Sequence, residues 1–350
     1  MNNEPIIKKK GMTTKSRQYK KRKIKGKSNK KRSWKSILKF LAFEIAFVAI
    51  TSPFLVFYGP FENVRNTIVG AAMTTLNHQY IAKWFLSDEK INEILSSHKI
   101  EDIKQGSSNV SIEIPKRASN DIERYDVSTG KFKGYMLVIH DPKRIKVGYT
   151  QKLGIEGQLT SKIARDNGAV AAINGGGFPD ESTGWTGTGA TPTGVIIHEG
   201  EIKFDAIKNE STKVDTMALT KEGRLLVGKY SIGELKKANV TEALSFGPAL
   251  VVDGKPTIKQ GDGGWGVAPR TAIGQRKDGA IVMLVIDGRQ VSSIGASLKE
   301  VQDTLIDNGV VNATNLDGGS STTMYYDGDV INNPANSLGE RAVPSIVYVK

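Results

Sequence analysis

Cysteine is absent from the 350 residues, which excludes a disulfide framework, a thiolate nucleophile and any Cys-based zinc site. Histidine is scarce. The four copies, His78, His98, His140 and His198, include no pair at the spacing of a helical metal site. No Ser lies in a G-x-S-x-G nucleophile elbow. The Gly-rich run from Thr186 to Gly194 lacks the Gly-Lys-Ser/Thr of a phosphate-binding P-loop. A dispersed basic surface is lacking as well. The net charge is +13, but residues 1 to 36 hold fifteen Lys and Arg against one Glu, so the rest of the chain is close to neutral. Positive charge confined to a tail, with an apolar run after it, is a topology signal and not a nucleic-acid patch.

Glycine, in contrast, is abundant at 37 residues. An excess of this kind implies many tight turns, or backbone that approaches a ligand closely.

The polar, Lys-rich residues 1 to 36 have no periodicity and are expected to be a disordered cytoplasmic tail. Residues 37 to 58 follow as a transmembrane anchor, because the run from Leu38 to Tyr58 has about the length needed to cross a bilayer. Glu44 inside it costs about 3 kcal/mol at the bilayer centre. Pro53 kinks a helix in a way that membrane helices tolerate. The positive-inside rule places everything after Tyr58 outside the cell membrane. Apolar residues at Val64, Ile68, Ala72, Leu76, Tyr80 and Trp84 recur every four residues. They predict a helical stalk over 59 to 100, able to pack on a partner copy in a homo-oligomer. Residues 101 to 130 read as a polar linker.

From residue 131 to 350 the texture is that of a single Gly-rich domain of mixed sheets with helices, an α+β (mixed α/β) class. Strands are expected at Tyr135 to His140, Ala169 to Ile173, Ala280 to Ile286 and Val310 to Leu316. One helix is expected to end at Asn167-Gly168. Another opens at a capping box of Ser297 and Glu300 and ends at Asn308-Gly309. Asp327-Gly328 reads as an ordinary hairpin turn.

One local grammar recurs: a strand ends, a polar residue follows, then Gly. It occurs at Asn174 before Gly175-Gly176-Gly177, at Asp287 before Gly288, and at Asp317 before Gly318-Gly319. The first and third are also echoes of each other, each a helix, an Asn-Gly cap, a strand, a polar residue and Gly-Gly. A strand end fixes the polar side chain on rigid backbone, and Gly allows a sharp turn and close approach of a ligand. Arg270, in Ala268-Pro269-Arg270-Thr271, is placed between Gly-rich loops and offers a fork matched to phosphate or carboxylate. Asp262 lies in a Gly-rich turn.

At these residues the chain resembles the phosphodiester glycosidase family. The resemblance runs over about residues 131 to 350. It rests on AAINGGGF (171 to 178), SFGPALVVDG (245 to 254), APRTAIG (268 to 274), DGR (287 to 289), NLDGGSSTTM (315 to 324) and GERAVPSIVYV (339 to 349), in that order. Ser320 stands where the family often has a third Gly.

The resemblance implies hydrolysis of the bond between a sugar's anomeric carbon and a phosphodiester oxygen. It implies Arg270 and Arg341 on the phosphate. Asp317 and Asp287 would be a carboxylate pair, with Glu340 as a reserve acid. Asn174, Ser320 and Ser321 would orient the substrate, and the backbone of Gly175, Gly176, Gly318 and Gly319 would form an anion nest. No metal site is expected from spacing, and Ca²⁺ on loop carboxylates stays open. Two other classes stay open too: a surface module that binds anionic glycans without turnover, and a sugar transferase acting on the same bond.

Overall fold

The computed structural model describes residues 34–74, 79–97, 100–106, 110–116, 119–179, 188–336 and 338–350. The expected tail therefore lies outside the described residues, except for its last three. The chain divides into two compact units, Met1–Pro53 and Phe54–Lys350.

The first unit contributes most of the helix Trp34–Tyr58, which is 25 residues long and carries Pro53 inside it. At 1.5 Å per residue it spans about 37 Å, enough for a hydrocarbon core of about 30 Å. Most of its apolar side chains are exposed, among them Phe40, Phe43, Ile45 and Ile50, whereas Phe57 near its end is buried. By length and composition this is a helix able to cross a membrane.

The second unit is built on three larger antiparallel sheets and a two-stranded one, Gln158–Leu159 with Ala342–Val343. The largest has seven strands in the order Ile122–Asp126, Gly134–Ile139, Ile281–Ile286, Arg270–Arg276, Val310–Leu316, Ala249–Val252 and Lys255–Pro256. A second sheet runs Glu201–Asp205, Val195–His198, Val240–Ser245, Val214–Thr220, Leu225–Tyr230. The third runs Asp329–Val330, Met324–Tyr326, Ala171–Asn174, Ser345–Val349, Ile145–Tyr149.

The strand Ile281–Ile286 is a continuous apolar run because both of its faces are buried. Ile281, Met283 and Val285 point into a core shared with the other two larger sheets, beside Ile173, Met217 and Leu244. Val282, Leu284 and Ile286 point the other way, onto the helix Leu298–Asp307 through Leu298, Val301 and Leu305. That helix opens with the expected capping box, Ser297 and Glu300 each accepting from the other's backbone. Asp327 and Gly328 both take positive φ, 51° and 96°, in the expected hairpin turn. The α+β class is as expected.

Two segments differ from expectation. The stretch read as a linker is part of the fold. Ile122–Asp126 is the edge strand of the large sheet, and Gln105 bonds the backbone of Leu225 and Val227. The stretch read as a stalk forms the helices Glu62–Thr74, Tyr80–Lys83 and Asp88–Ser97. Its buried face is Val69, Ala72, Ala82, Ile91 and Ile94, whereas Val64, Tyr80 and Trp84 of the four-residue stripe are exposed. Leu76 lies outside the described residues.

The helix Glu62–Thr74 meets the chain's own Gly-rich loop, backbone against backbone. A Cβ at Gly70 would lie 2.6 Å from the carbonyl oxygen of Gly264, and one at Gly266 would lie 2.8 Å from the Ala71 Cβ. Gly70→Val is therefore expected to destabilise the second unit by about 1–3 kcal/mol through overpacking. Thermal unfolding should show a loss of a few degrees, about 2–4 °C per kcal/mol.

Candidate functional site

The strand register brings the three polar strand ends to one end of the large sheet. Arg270 is opposite Ile286, and Thr271 is opposite Leu316. Asp287 and Asp317 thus leave the sheet on either side of Arg270, two strand spacings or about 10 Å apart along the sheet.

The third sheet reaches the same place through Asn174, which is fully buried. Its side-chain oxygen accepts from the Thr271 hydroxyl at 2.7 Å and from the Thr323 N–H at 3.1 Å. Its amide nitrogen donates to the Asp317 carbonyl at 2.6 Å. The Asp317 N–H in turn donates to the Gly175 carbonyl. The two echoing strand ends of the sequence thus bond directly to each other.

After Asp317 the chain makes a tight turn. The Asp317 carboxylate accepts from the Gly318 N–H at 3.0 Å, and the Gly319 N–H donates to the Pro269 carbonyl. Gly319 has a φ of 60°, and a Cβ there would lie 3.2 Å from Nη2 of Arg289. Ser320 does not have a positive φ, so the place where the family often carries Gly does not need it here.

Two guanidinium groups meet this turn. Arg289 has a φ of 58°, a left-handed conformation that costs a non-Gly residue about 1 kcal/mol. Arg341 donates to the Ser320 hydroxyl at 3.2 Å and lies 4.6 Å from the centroid of the Phe178 ring. Burial pushes the pKa of Arg289 down, and the neighbouring charge of Arg341 adds to this.

Arg270 stands differently from its expected role. It is 5% exposed, and three of its N–H donors serve backbone carbonyls: Ala296 at 3.0 Å, Trp265 at 3.0 Å and Gly266 at 2.7 Å. Burial lowers its pKa to about 10. Strand alternation sends it to the face of the helix Leu298–Asp307, while Thr271 points to the other face. It braces a loop and does not present an open fork.

Asp287 is 2% exposed. Its carboxylate accepts from the Asn332 amide at 3.0 Å and from the Asn333 N–H at 3.1 Å. Burial raises its pKa, against these hydrogen bonds and the charge of Lys133. Glu340 points away from the turn. Its two oxygens accept from the N–H and the hydroxyl of Ser161, in the first turn of the helix Thr160–Asp166. Ser321 is fully buried. Asp262 closes its own turn onto the Gly264 N–H at 2.8 Å. Among the described residues no group of three or more His, Asp and Glu side chains is gathered as a cation's ligand set.

Sequence reasoning passed over Arg289, although it lies inside the DGR triplet. It also passed over Phe178, Asn332 and Asn333.

Asn174→Ala would strand a buried hydroxyl, a buried N–H and a buried carbonyl together. The expected loss is on the order of 3 kcal/mol in denaturant unfolding.

The folded-state pKa of Asp287 lies above its unfolded value, so the folded chain keeps this proton longer. Its stabilising contribution is full below the ordinary aspartate range and is lost as pH rises through the raised value. Asp287→Asn imitates the protonated form. Its melting temperature relative to the wild type should therefore increase between pH 3 and pH 7, and a constant difference would contradict the assignment.

Comparison with known proteins bears on the same region. Residues 167–350 match the family model described as phosphodiester glycosidase. The SPbeta prophage-derived uncharacterized protein YomE of Bacillus subtilis is 30% identical over 210 residues, 58% of this chain and 30% of YomE. The N-acetylglucosamine-1-phosphodiester alpha-N-acetylglucosaminidase of Bos taurus is 39% identical over 70 residues, 20% of this chain and 13% of that enzyme. The chain thus spans less than a third of the length of these curated relatives. The solved catalytic domain of the zebrafish N-acetylglucosamine-1-phosphodiester alpha-N-acetylglucosaminidase, auto-inhibited by its pro-peptide, has the same fold. Its TM-score is 0.52 at 23% identity, over 72% of this chain and 88% of that one. With the matched model covering more than half of its length, the chain belongs to the phosphodiester glycosidase family.

Proposed function

We propose that the chain is a hydrolase that cleaves the bond between the anomeric carbon of a sugar and a phosphodiester oxygen. One observation carries this reading: the turn that follows the Asp317 carboxylate is met by the guanidinium groups of both Arg289 and Arg341. Planar forks of this kind suit phosphate oxygens, which they hold through paired charge-assisted hydrogen bonds. Arg341 is steadied for this by Phe178 beneath it and by Ser320 beside it.

The phosphate bound there is the leaving group. A phosphomonoester departs without the proton donation that a sugar alcohol needs. This agrees with the sealed state of Asp287, whose carboxylate holds the Asn332–Asn333 turn in place. Asp317 takes the chemical role. It faces the anomeric carbon, supports the positive charge that develops there, and acts as nucleophile or base. Asn174 and Arg270 are positioning residues, the first through the Asp317 backbone and the second through the loop at 265 and 266.

The helix Trp34–Tyr58 anchors the chain, with the Lys/Arg-rich segment on the cytoplasmic side. The second unit then faces a wall or exopolysaccharide glycan with sugar-1-phosphodiester linkages. The name of the Bos taurus relative, which specifies a sugar-1-phosphodiester, supports the substrate class.

Release of free sugar from a panel of nucleotide sugars and wall-polymer fragments tests the reading. Asp317→Asn should lower turnover at least about a thousandfold with the melting temperature unchanged. Arg289→Ala and Arg341→Ala should each raise KM about tenfold. Full activity in Asp317→Asn removes Asp317 from the mechanism. Saturable binding without sugar release supports a glycan-binding module instead, and a new glycoside formed with an added alcohol supports a transferase.

A further inference from the structure

The loop before Arg270 reads Gly261-Asp262-Gly263-Gly264-Trp265-Gly266, with a single large side chain among small ones. Gly264 and Gly266, which flank Trp265, have φ values of 75° and 59°, so the loop is shaped by residues that carry no side chain. It is gripped from two sides. Arg270 donates to the carbonyls of Trp265 and Gly266. The helix Glu62–Thr74 packs against Gly264 and Gly266 through Gly70 and Ala71.

What this construction holds still is the indole. Trp265 is half-buried and rests partly on the core behind the large sheet. Its ring meets Phe246 edge to face, with centroids 6.3 Å apart and planes at 77°. Phe246 in turn lies against the turn after Asn174, where a Cβ at Gly177 would be 2.6 Å from its ring. The indole therefore stands one side chain away from the Asn174–Gly177 turn, which bonds the Asp317 backbone. Its N–H meets no hydrogen-bond acceptor among the described residues. An amphipathic ring that is only partly buried and has an unused donor suits the apolar face and the hydroxyls of a pyranose.

We propose that Trp265 is the sugar-recognition residue of the site. It presents its ring to the pyranose of the substrate and so sets which sugar is accepted, with Phe246 as its backstop. The helix Glu62–Thr74 is then a wall of the substrate site and not a spacer. This rests on the reading of the site as one for sugar phosphodiesters.

The test uses the full chain in detergent micelles with four nucleotide sugars that differ in their pyranose: UDP-N-acetylglucosamine, UDP-glucose, UDP-galactose and GDP-mannose. Turnover is measured together with the quenching of tryptophan fluorescence. Trp265→Ala should raise KM about tenfold for the preferred sugar, keep kcat within about threefold, flatten the preference among the four, and lose the ligand-induced quench. Trp265→Phe should restore KM to within about threefold. Wild-type turnover with KM and preference unchanged in Trp265→Ala overturns this inference alone. A fall in kcat at constant KM overturns it as well, because the residue would then only brace the loop. A wild type that neither binds nor cleaves any of the four, nor any wall-polymer fragment, overturns the underlying hydrolase reading, and this inference with it.

Discussion

The arrangement at the candidate site depends on one buried amide. Asn174 accepts from a strand of the large sheet and from the entry to Met324–Tyr326, and it donates to the carbonyl of Asp317. Two sheets are thereby locked at the point where both turn into glycine. The lock uses a neutral group. A carboxylate in the same place would lack the donor that Asp317 receives, and would carry a charge into a fully buried position at a cost of several kcal/mol. Other buried amides stitch the unit in the same way. Gln275 joins the large sheet to Gly223 and Leu225, and Gln302 pairs with both backbone groups of Ile258. Each satisfies backbone that would otherwise be buried without partners.

With the strand ends fixed, the distribution of charge follows from the faces of the strands. Arg270 and Asp287 leave adjacent strands at the same end, yet one side chain goes to the helix side and the other to the loop at 332 and 333. Both are consumed in holding backbone. The groups left at the turn come from less regular chain: Asp317 just beyond its strand, Arg289 in a left-handed conformation, and Arg341 just ahead of Ala342–Val343. Rigid strands carry the supports, and the turns they fix carry the groups proposed for the chemistry.

Much of this was legible in the sequence, for a physical reason. Strand, polar residue and Gly form a local signal, and it pointed to Asn174, Asp287 and Asp317 before any register was known. Capping boxes and Asn-Gly stops are local too, and the helix Leu298–Asp307 follows them. What could not be read locally was the direction of each side chain. Glu340 and Arg341 are neighbours in the chain, yet one reaches Ser161 and the other Ser320. Arg270 stands out in the sequence because Pro and Gly-rich loops surround it, but its donors go to the carbonyls of Trp265 and Gly266 in that loop and of Ala296. The stretch from 59 to 130 read as stalk and linker because several contacts that tie it into the fold are made with residues more than a hundred positions away, as Gln105 with Leu225 and Gly70 with Gly264.

The central claim is that the bond broken lies between the sugar carbon and the phosphodiester oxygen, with the phosphate held as leaving group on Arg289 and Arg341. The most direct measurement is hydrolysis of a sugar-1-phosphodiester in water enriched in ¹⁸O, with mass analysis of both products. Attack at the anomeric carbon places the label in the released sugar and none in the phosphomonoester. Label found in the phosphate would mean attack at phosphorus, and would contradict the account.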